Sequence, residues 1–363
     1  MSTLKVNTIR HTGASSDAVT LATDGTCTAK ITNRSNRNLI INGAMNVAQR
    51  GTSSTSTGYQ TVDRITMYHG GTDEAPTYSQ ADVASGTTPY SLGFRKCMKI
   101  TNGNQTSGLG AGDEIQFDYV IEAQDVANSG WNYTSASSYI TLSYWVKSSV
   151  AQTFYGYFLT RDGTQQLYSF STGALSANTW TKITKTIPGN SNIQVDNNNG
   201  AGFNINLFSL MGTDRTGTIT ENAWGTWNAN LRTPNQATTW YTTNDATFEV
   251  TGVQLEVGDV ATDFEHRSYG DELARCQRYY QKFTGISYRM FTKNVHRWAA
   301  PLPVKLRAVP TATKSYTSTT HMGNDHTTSA DGTMLNYSLS TDPSGSDNII
   351  DNGGGIITLD SEL

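Results

Sequence analysis

Four glutamates, Glu114, Glu122, Glu249 and Glu256, are the carboxylates from which a glycoside-cleaving pair would be drawn. Such chemistry needs one carboxyl as acid and a second as base or nucleophile, at a set separation across the glycosidic bond. Their positions along the chain set no such separation. No GxSxG elbow, P-loop, GxGxxG or HExxH occurs. The histidines, His11, His69, His266, His296, His321 and His326, include no pair at helical metal-ligand spacing. His321 and His326, five apart in a polar stretch, read as a surface loop. The run "DNNNG" at 196–200 is rich in oxygen ligands, but its Gly stands fifth where an EF-type loop needs it sixth, so it reads as a turn. Cys27, Cys97 and Cys276 are odd in number and far apart, with neither a disulfide framework nor a metal knuckle among them. The expectation is a protein without catalysis, cofactor or metal.

Two stretches have the residue types for binding. In "NAWGTWNANLRTPNQATTWYTT" (222–243), Trp224, Trp227, Trp240 and Tyr241 stand among Asn, Gln and Thr. Flat aromatic faces stack on sugar rings while amides and hydroxyls meet sugar hydroxyls. The same aromatics would equally plug the ends of a β-sandwich or fill a subunit contact, and the cost of leaving tryptophan in water favours that reading. The second stretch, 273–324, has no Asp or Glu and carries basic residues among aromatics, with Arg289, Lys293 and Arg297 at its centre. Three readings are open: nucleic-acid binding, attraction to anionic host-surface polysaccharide, and pairing with carboxylates elsewhere in the chain or in another subunit. A net charge of −4 makes the last the favoured one and argues against nucleic acid.

The elements that must position these residues are strands. Only 15% of the 363 residues are charged, so Thr, Ser, Asn, Gln and Gly must supply the polar surface. That composition favours strands and turns. "EIQFDYVI" places Ile115, Phe117, Tyr119 and Ile121 on one face, and "YITLSYWVK" places Ile140, Leu142, Tyr144 and Val146 together. "TFYGYFL" has aromatics on both faces, as a strand covered on both sides would, and "GFNINLFSL" aligns Phe203, Ile205 and Leu207. Gly252 interrupts the alternation of "ATFEVTGVQLEV" as a bulge would. One helix is expected at 269–283, where Ser268 and Asp271 have capping-box spacing and Cys276 is a packed thiol on the apolar stripe. Residues 1–37 offer too little apolar area for a core of their own and either dock on copies or a partner or form a disordered tail. Leu4, Val6 and Ile9 are their apolar contacts. No signal peptide or membrane span is expected, hence synthesis in a cytoplasm and no membrane insertion.

"RNLIINGAMNVAQRG" (37–51), "TVDRI" (61–65), "VTGVQLEVGDVATDFEHRSYGDELARCQRYYQ" (250–281) and the closing "LDSEL" together resemble a family of bacteriophage virion proteins of the tail-fibre type, familiar in phages of marine and cyanobacterial hosts. "MSTLKVNTI" is similar to their amino-terminal segment, and "YITLSYWVKSS" with "NTWTKITKTIPG" is similar to the jelly-roll sandwiches of carbohydrate-binding modules. The resemblance implies a homotrimeric virion appendage with an N-terminal attachment segment, and leaves a structural calcium open without ligands to name. Within that frame "NGAMNVAQRG" reads as the junction into the sandwich, with Arg50 and Asp63 either pinning it or forming a solvated pair worth under about 1 kcal/mol.

The expected architecture is all-β. Residues 1–37 form a virion-attachment or trimerisation segment, 38–268 a jelly-roll sandwich, 269–283 a linking helix and 284–363 a small β tip. The expected function is host-surface recognition by a trimeric tail-fibre-like appendage in the virion. Its partners would be its own copies, other virion proteins and host polysaccharide. The alternatives are a capsid-decorating, cement or head-fibre protein and, third, a glycan depolymerase, for whose long groove no repeat provides.

Overall fold

The computed structural model describes residues 5–15, 17–29, 35–286, 296–315, 322–328, 332–341 and 355–363. Near the N-terminus, β1 (Thr8–Ile9), β2 (Val19–Leu21) and β3 (Cys27–Ala29) pair into a small antiparallel sheet. Val6, Ile9 and Leu21 are exposed there, and Leu4 falls outside the described residues.

Twelve strands then build two six-stranded layers: β4 (Ser53–Ser54), β5 (Ile65–Gly70), β6 (Thr77–Asp82), β7 (Lys96–Thr101), β8 (Glu114–Glu122), β9 (Tyr139–Ser148), β10 (Thr153–Thr160), β11 (Gln166–Ala174), β12 (Thr181–Pro188), β13 (Ala201–Met211), β14 (Trp224–Thr226) and β15 (Thr247–Val257). One layer runs β14-β11-β10-β13-β8-β5 and the other β12-β9-β15-β7-β6-β4, every pairing between named strands being antiparallel. Short helices α1 (Thr88–Ser91), α2 (Ala123–Ala127) and α3 (Thr239–Thr242) sit in the connections. The alternation seen in the sequence fills the space between the layers: Ile115, Phe117, Tyr119 and Ile121 of β8 face Ile140, Leu142, Tyr144 and Val146 of β9 in one core. The all-β sandwich expectation holds. Gly252 has φ of +64° at a register shift between Thr251 and Gln254, the bulge expected there.

The helix is shorter than the sequence suggests. Its start is as expected, with the Ser268 hydroxyl accepting from Asp271 N, but α4 spans only Tyr269–Gln277. Tyr280 begins β16 (Tyr280–Ile286), whose backbone pairs with the chain's last strand. Aromatic residues fit a pleated, half-buried surface, and the ladder outcompetes another helical turn. The remaining strands, β17 (His296–Pro301), β18 (Thr311–Ser315), β19 (Met322–Thr328), β20 (Met334–Thr341) and β21 (Gly355–Asp360), give two three-stranded sheets, β16-β21-β18 and β17-β20-β19.

The "NGAMNVAQRG" segment is the joint where these parts meet. Gly43 is obligatory, because a Cβ there would lie 2.1 Å from the Val253 carbonyl oxygen. The Asn42 side chain accepts from Val47 N and donates to the Val47 and Asp63 carbonyls, and Asn42 N donates to Glu272 of α4. Arg50 corrects the expectation: its partners are Asp360 (2.9 Å) and Glu362 (3.3 Å), while Asp63 accepts from Gln49. Arg64, wholly buried, pairs with the same Glu362 and donates to the Val120 carbonyl. Arg50 stacks 3.8 Å over the Tyr280 ring and Arg64 3.4 Å over that of Tyr279. The closing residues are held by their backbone as well, with Ser361 N donating to Tyr279 O and Arg307 donating to the Ser361 and Glu362 carbonyls.

Removing one partner of a buried pair strands the other charge, at a cost of about 3–5 kcal/mol. Glu362→Ala should therefore lower unfolding stability by roughly that amount in chemical denaturation. Asp82→Ala, which breaks the exposed Lys96–Asp82 pair, should cost less than about 1 kcal/mol.

Candidate functional site

The strand that sends Ile115, Phe117, Tyr119 and Ile121 inward sends Glu114, Gln116 and Asp118 to the outer face of its sheet. On β13, Asn204 and Asn206 point the same way. A bulge between Asn206 and Phe208 resets the register, so that Ser209 also faces outward, opposite Gln116. Asn206 pairs across to Asp118 on one side and Tyr157 on the other. Its Nδ2 donates to Asp118 Oδ1 (2.9 Å) and Gln116 Oε1 (3.1 Å), and the Tyr157 hydroxyl donates to Gln116 Oε1 (3.2 Å). One register row, Tyr155–Ser209–Gln116–Tyr68, crosses four strands, or about 14 Å at the usual strand spacing. Its two ends carry aromatic rings, Tyr68 being 44% exposed.

Residues 212–236 form a strap over one part of this face. Its two legs are tied together, Arg232 N donating to Arg215 O and Gly217 N to Thr233 O. From the strap Trp227 packs toward Tyr157, with ring centroids 6.2 Å apart, beside a small apolar cluster of Leu159, Leu167 and Met211. Aromatics on both faces of β10 are thus covered on both sides, as the sequence suggested. Arg215 (2.9 Å) and Arg232 (3.3 Å) both converge on Glu114.

Burial raises the Asp118 carboxyl to about 6, and the Asn206 hydrogen bond only partly opposes it. Several buried polar atoms of the region have no partner: Ser169 Oγ, Asn206 Oδ1 and Ser209 Oγ on the sheet, and Arg215 Nε and Gln236 Oε1 on the strap. Buried polar groups in folded proteins are nearly always satisfied, so such a concentration calls for water or a ligand.

The aromatics singled out in the sequence do not converge. Trp240 and Tyr241 are fully buried and are corrected from binding candidates to core. Trp240 packs on Phe208 and donates to Thr247 O, and the Tyr241 hydroxyl donates to Asp113. The area of an indole ring makes burial the cheaper state. Trp224 plugs the sandwich end against Tyr168 and Phe203, its Nε1 bonded to Pro188 O. Of the four, only Trp227 lies at the polar face. Sequence reasoning missed Gln116, Asp118, Asn206, Ser209 and Tyr157. The available signal was the unused half of two alternations, E-x-Q-x-D in β8 and N-x-N in β13.

The four glutamates do not pair with one another. Glu114 and Glu122 are eight residues apart on one strand, roughly 26 Å at the rise of an extended chain, against about 5–9.5 Å for a glycosidase pair. Glu249 and Glu256 lie on the other sheet, engaged by Lys147 and Arg37. Glu122 pairs with Arg278, so at that position the basic window meets a carboxylate of the sandwich. Burial alone would raise Glu122, but the hydrogen bonds from Arg278 and Tyr279 outweigh it and hold the carboxyl below its ordinary value. Arg289 and Lys293 lie outside the described residues, and Arg297 falls in β17 opposite Ser338. The "DNNNG" run is a turn in which Asn198 accepts from Gly200 N and Asn199 exchanges hydrogen bonds with Arg307. Among the described residues there is no metal-ligating cluster, and no helix is long and apolar enough to cross a membrane.

No protein-family model and no curated protein matches this chain. Solved structures similar to it include the enzymatically active domain of tailspike protein 4 from bacteriophage CBA120, at 13% identity and a TM-score of 0.34, over 61% of this chain and 22% of the tailspike. The N-terminal cellulose-binding domain of Cellulomonas fimi β-1,4-glucanase C is similar at 12% identity and a TM-score of 0.27, over 59% of this chain and 99% of that domain. The family 11 carbohydrate-binding module of Clostridium thermocellum is similar at 13% and 0.26, over 59% and 98%. Likeness at these scores bears on neither ligand nor role.

Asp118 gives the face a pH signature. A carboxyl raised from 3.8 to about 6 in the fold contributes stability below pH 4 that is lost as the pH climbs through 6. Asp118→Asn keeps an acceptor for Asn206 without the charge. It should raise unfolding stability at pH 8 by about 1–3 kcal/mol and change it little at pH 4, as thermal denaturation at the two pH values would show.

Proposed function

We propose that this chain is a non-enzymatic bacteriophage virion protein, a homotrimeric tail-fibre-like appendage that holds host-surface glycan on the outer face of the β11-β10-β13-β8-β5 strands. The carrying observation is the set of buried amide and hydroxyl groups without partners, Asn206 Oδ1, Ser209 Oγ and Ser169 Oγ, on a face edged by aromatic rings. Sugar hydroxyls both donate and accept, and their ring faces stack on Tyr and Trp, so a neutral polar face with aromatic rims suits them. Three copies on one appendage would turn weak single-site contacts into firm attachment, with gains of about 10² or more when the sites engage together.

The motifs that resemble phage fibre proteins support the virion part of this reading by their placement. "AQRG", "VDRI", "RCQRYYQ" and "LDSEL" meet in one joint through Arg50, Arg64, Tyr279, Tyr280 and Glu362. The N-terminal strands, with Val6 and Ile9 exposed, offer the surface for trimerisation or for docking on other virion proteins. A capsid-decorating role would use the same N-terminal surface and leave the polar face idle.

Deleting 284–363 is a poor test, because Glu362 belongs to the core joint. Tyr68→Ala and Asp118→Ala alter the face at an exposed and a half-buried position. The double variant should lose at least about tenfold in affinity for host envelope polysaccharide in a retention assay. Host adsorption should fall in parallel, with particle yield and stability unchanged. Undiminished adsorption alongside reduced particle stability would instead support the decorating role.

A further inference from the structure

The strap is held to the polar face in an uneven way. Apolar contact is made at two places, by Trp224 seated against Tyr168 and Phe203 at the sandwich end and by Trp227 and Ile219 beside Tyr157, Leu159, Leu167 and Met211. The backbone bonds from strap to sheet are the short β14–β11 ladder with Asn222 N to Ser169 O and Trp227 N to Gln165 O on its flanks. The side-chain ion pairs that hold it converge on one acceptor, Glu114, 3% exposed, which takes both Arg215 and Arg232. The two legs are bonded to each other by Arg232 N to Arg215 O, Gly217 N to Thr233 O and the Thr216–Thr233 bridge, so they move as one ribbon.

Between ribbon and sheet the fit is poor in polar terms. Ser169 Oγ, Asn206 Oδ1 and Ser209 Oγ below, and Arg215 Nε and Gln236 Oε1 above, are buried without partners. Each such group costs about 1–3 kcal/mol relative to being solvated. Where neither water nor ligand meets them, these groups oppose the closed arrangement.

We propose that residues 212–236 are a displaceable cover over the glycan-binding face, with Glu114 as the latch that holds Arg215 and Arg232 down. The proposal rests on the reading of that face as the binding site and adds its regulation. Opening releases both guanidinium groups from one carboxylate and uncovers Ser169, Asn206 and Ser209 together with the Tyr157 ring. A ligand that binds only the open form has its apparent affinity reduced by the fraction of molecules that are open, so loosening the latch tightens binding.

The test is residue-resolved hydrogen exchange on the full-length protein, comparing the natural sequence with Glu114→Gln and, separately, with Arg215→Gln. Asn222 and Trp227, whose amides donate to Ser169 O and Gln165 O of the neighbouring strand and its turn, are the reporting amides, and Val146 and Val250 in β9 and β15 report global opening. In the natural protein the strap amides should exchange well before the β9 and β15 amides. Either variant should speed them by at least about tenfold while leaving β9 and β15 unchanged. Strap amides that exchange only together with β9 and β15 in all three proteins would overturn the cover. Using two variants on opposite sides of the ion pair guards against a folding defect in one. Retention of soluble xylan, mannan and dextran by the same proteins separates the two readings. An opening strap with no polysaccharide retained by any of them counts against the glycan assignment alone. A retained polysaccharide whose affinity is unchanged in both variants counts against the latch.

Discussion

A single carboxylate near the chain's end, that of Glu362, holds two arginines from the sandwich's entry, Arg50 and Arg64. Much of the architecture depends on that contact. Arg64 is wholly buried and adopts φ of +72°, a left-handed conformation that is strained for a long side chain by about 1–2 kcal/mol. Locally only the turn bond from Ile65 N to Val62 O holds it there. Glu362, the Val120 carbonyl and the stacked Tyr279 ring supply the compensation, and burial is outweighed so that the guanidinium titrates well above its ordinary range. The sandwich is therefore complete only when the last residues have returned to it, and the C-terminal strands are anchored at their base.

The outer polar face depends on this core at one remove. Sandwich strands present alternate residues to two environments, so the regularity that packs Ile115, Phe117 and Tyr119 inward lines up Glu114, Gln116 and Asp118 outward. The core supplies the rigidity, and the face spends some stability on polar groups left without partners. Burial beside Asn206 disfavours the charge of Asp118. Ser169, Asn206 and Ser209 are three residues with such unpartnered groups on one side of one sheet, while Arg64, Tyr144, Trp180, Arg267 and Gln281 carry others elsewhere.

How much of this was legible in the chain follows from which interactions are local. The strands of the sandwich were, because alternation with period two is written residue by residue; the faces of "EIQFDYVI" and "YITLSYWVK" fell as their pattern implied. The Ser268 cap was legible too, being a contact three residues long. The helix end was not: whether Tyr280 continued the helix or entered a ladder depended on a strand some eighty residues away. Arg50 illustrates the same limit, since Asp63 was near in sequence but the two acids that engage it, Asp360 and Glu362, are over three hundred residues distant. For the tryptophans, residue type signalled large area and flatness without saying toward which side of a sheet each would turn.

The sequence by itself therefore determined the class of fold, the inward faces of its strands and the kind of surface this chain could present, neutral and hydroxyl-rich. These follow from composition and short-range periodicity, which act through each residue's own propensity and hydrophobicity. Only the tertiary structure decided that Trp240 and Tyr241 belong to the core and that Trp227 joins Tyr157, Gln116, Asp118 and Asn206 at one face. It likewise decided that Glu114 pairs with both Arg215 and Arg232. Those outcomes depend on strand register and on loops closing over a sheet, where one residue's shift turns every side chain to the opposite face.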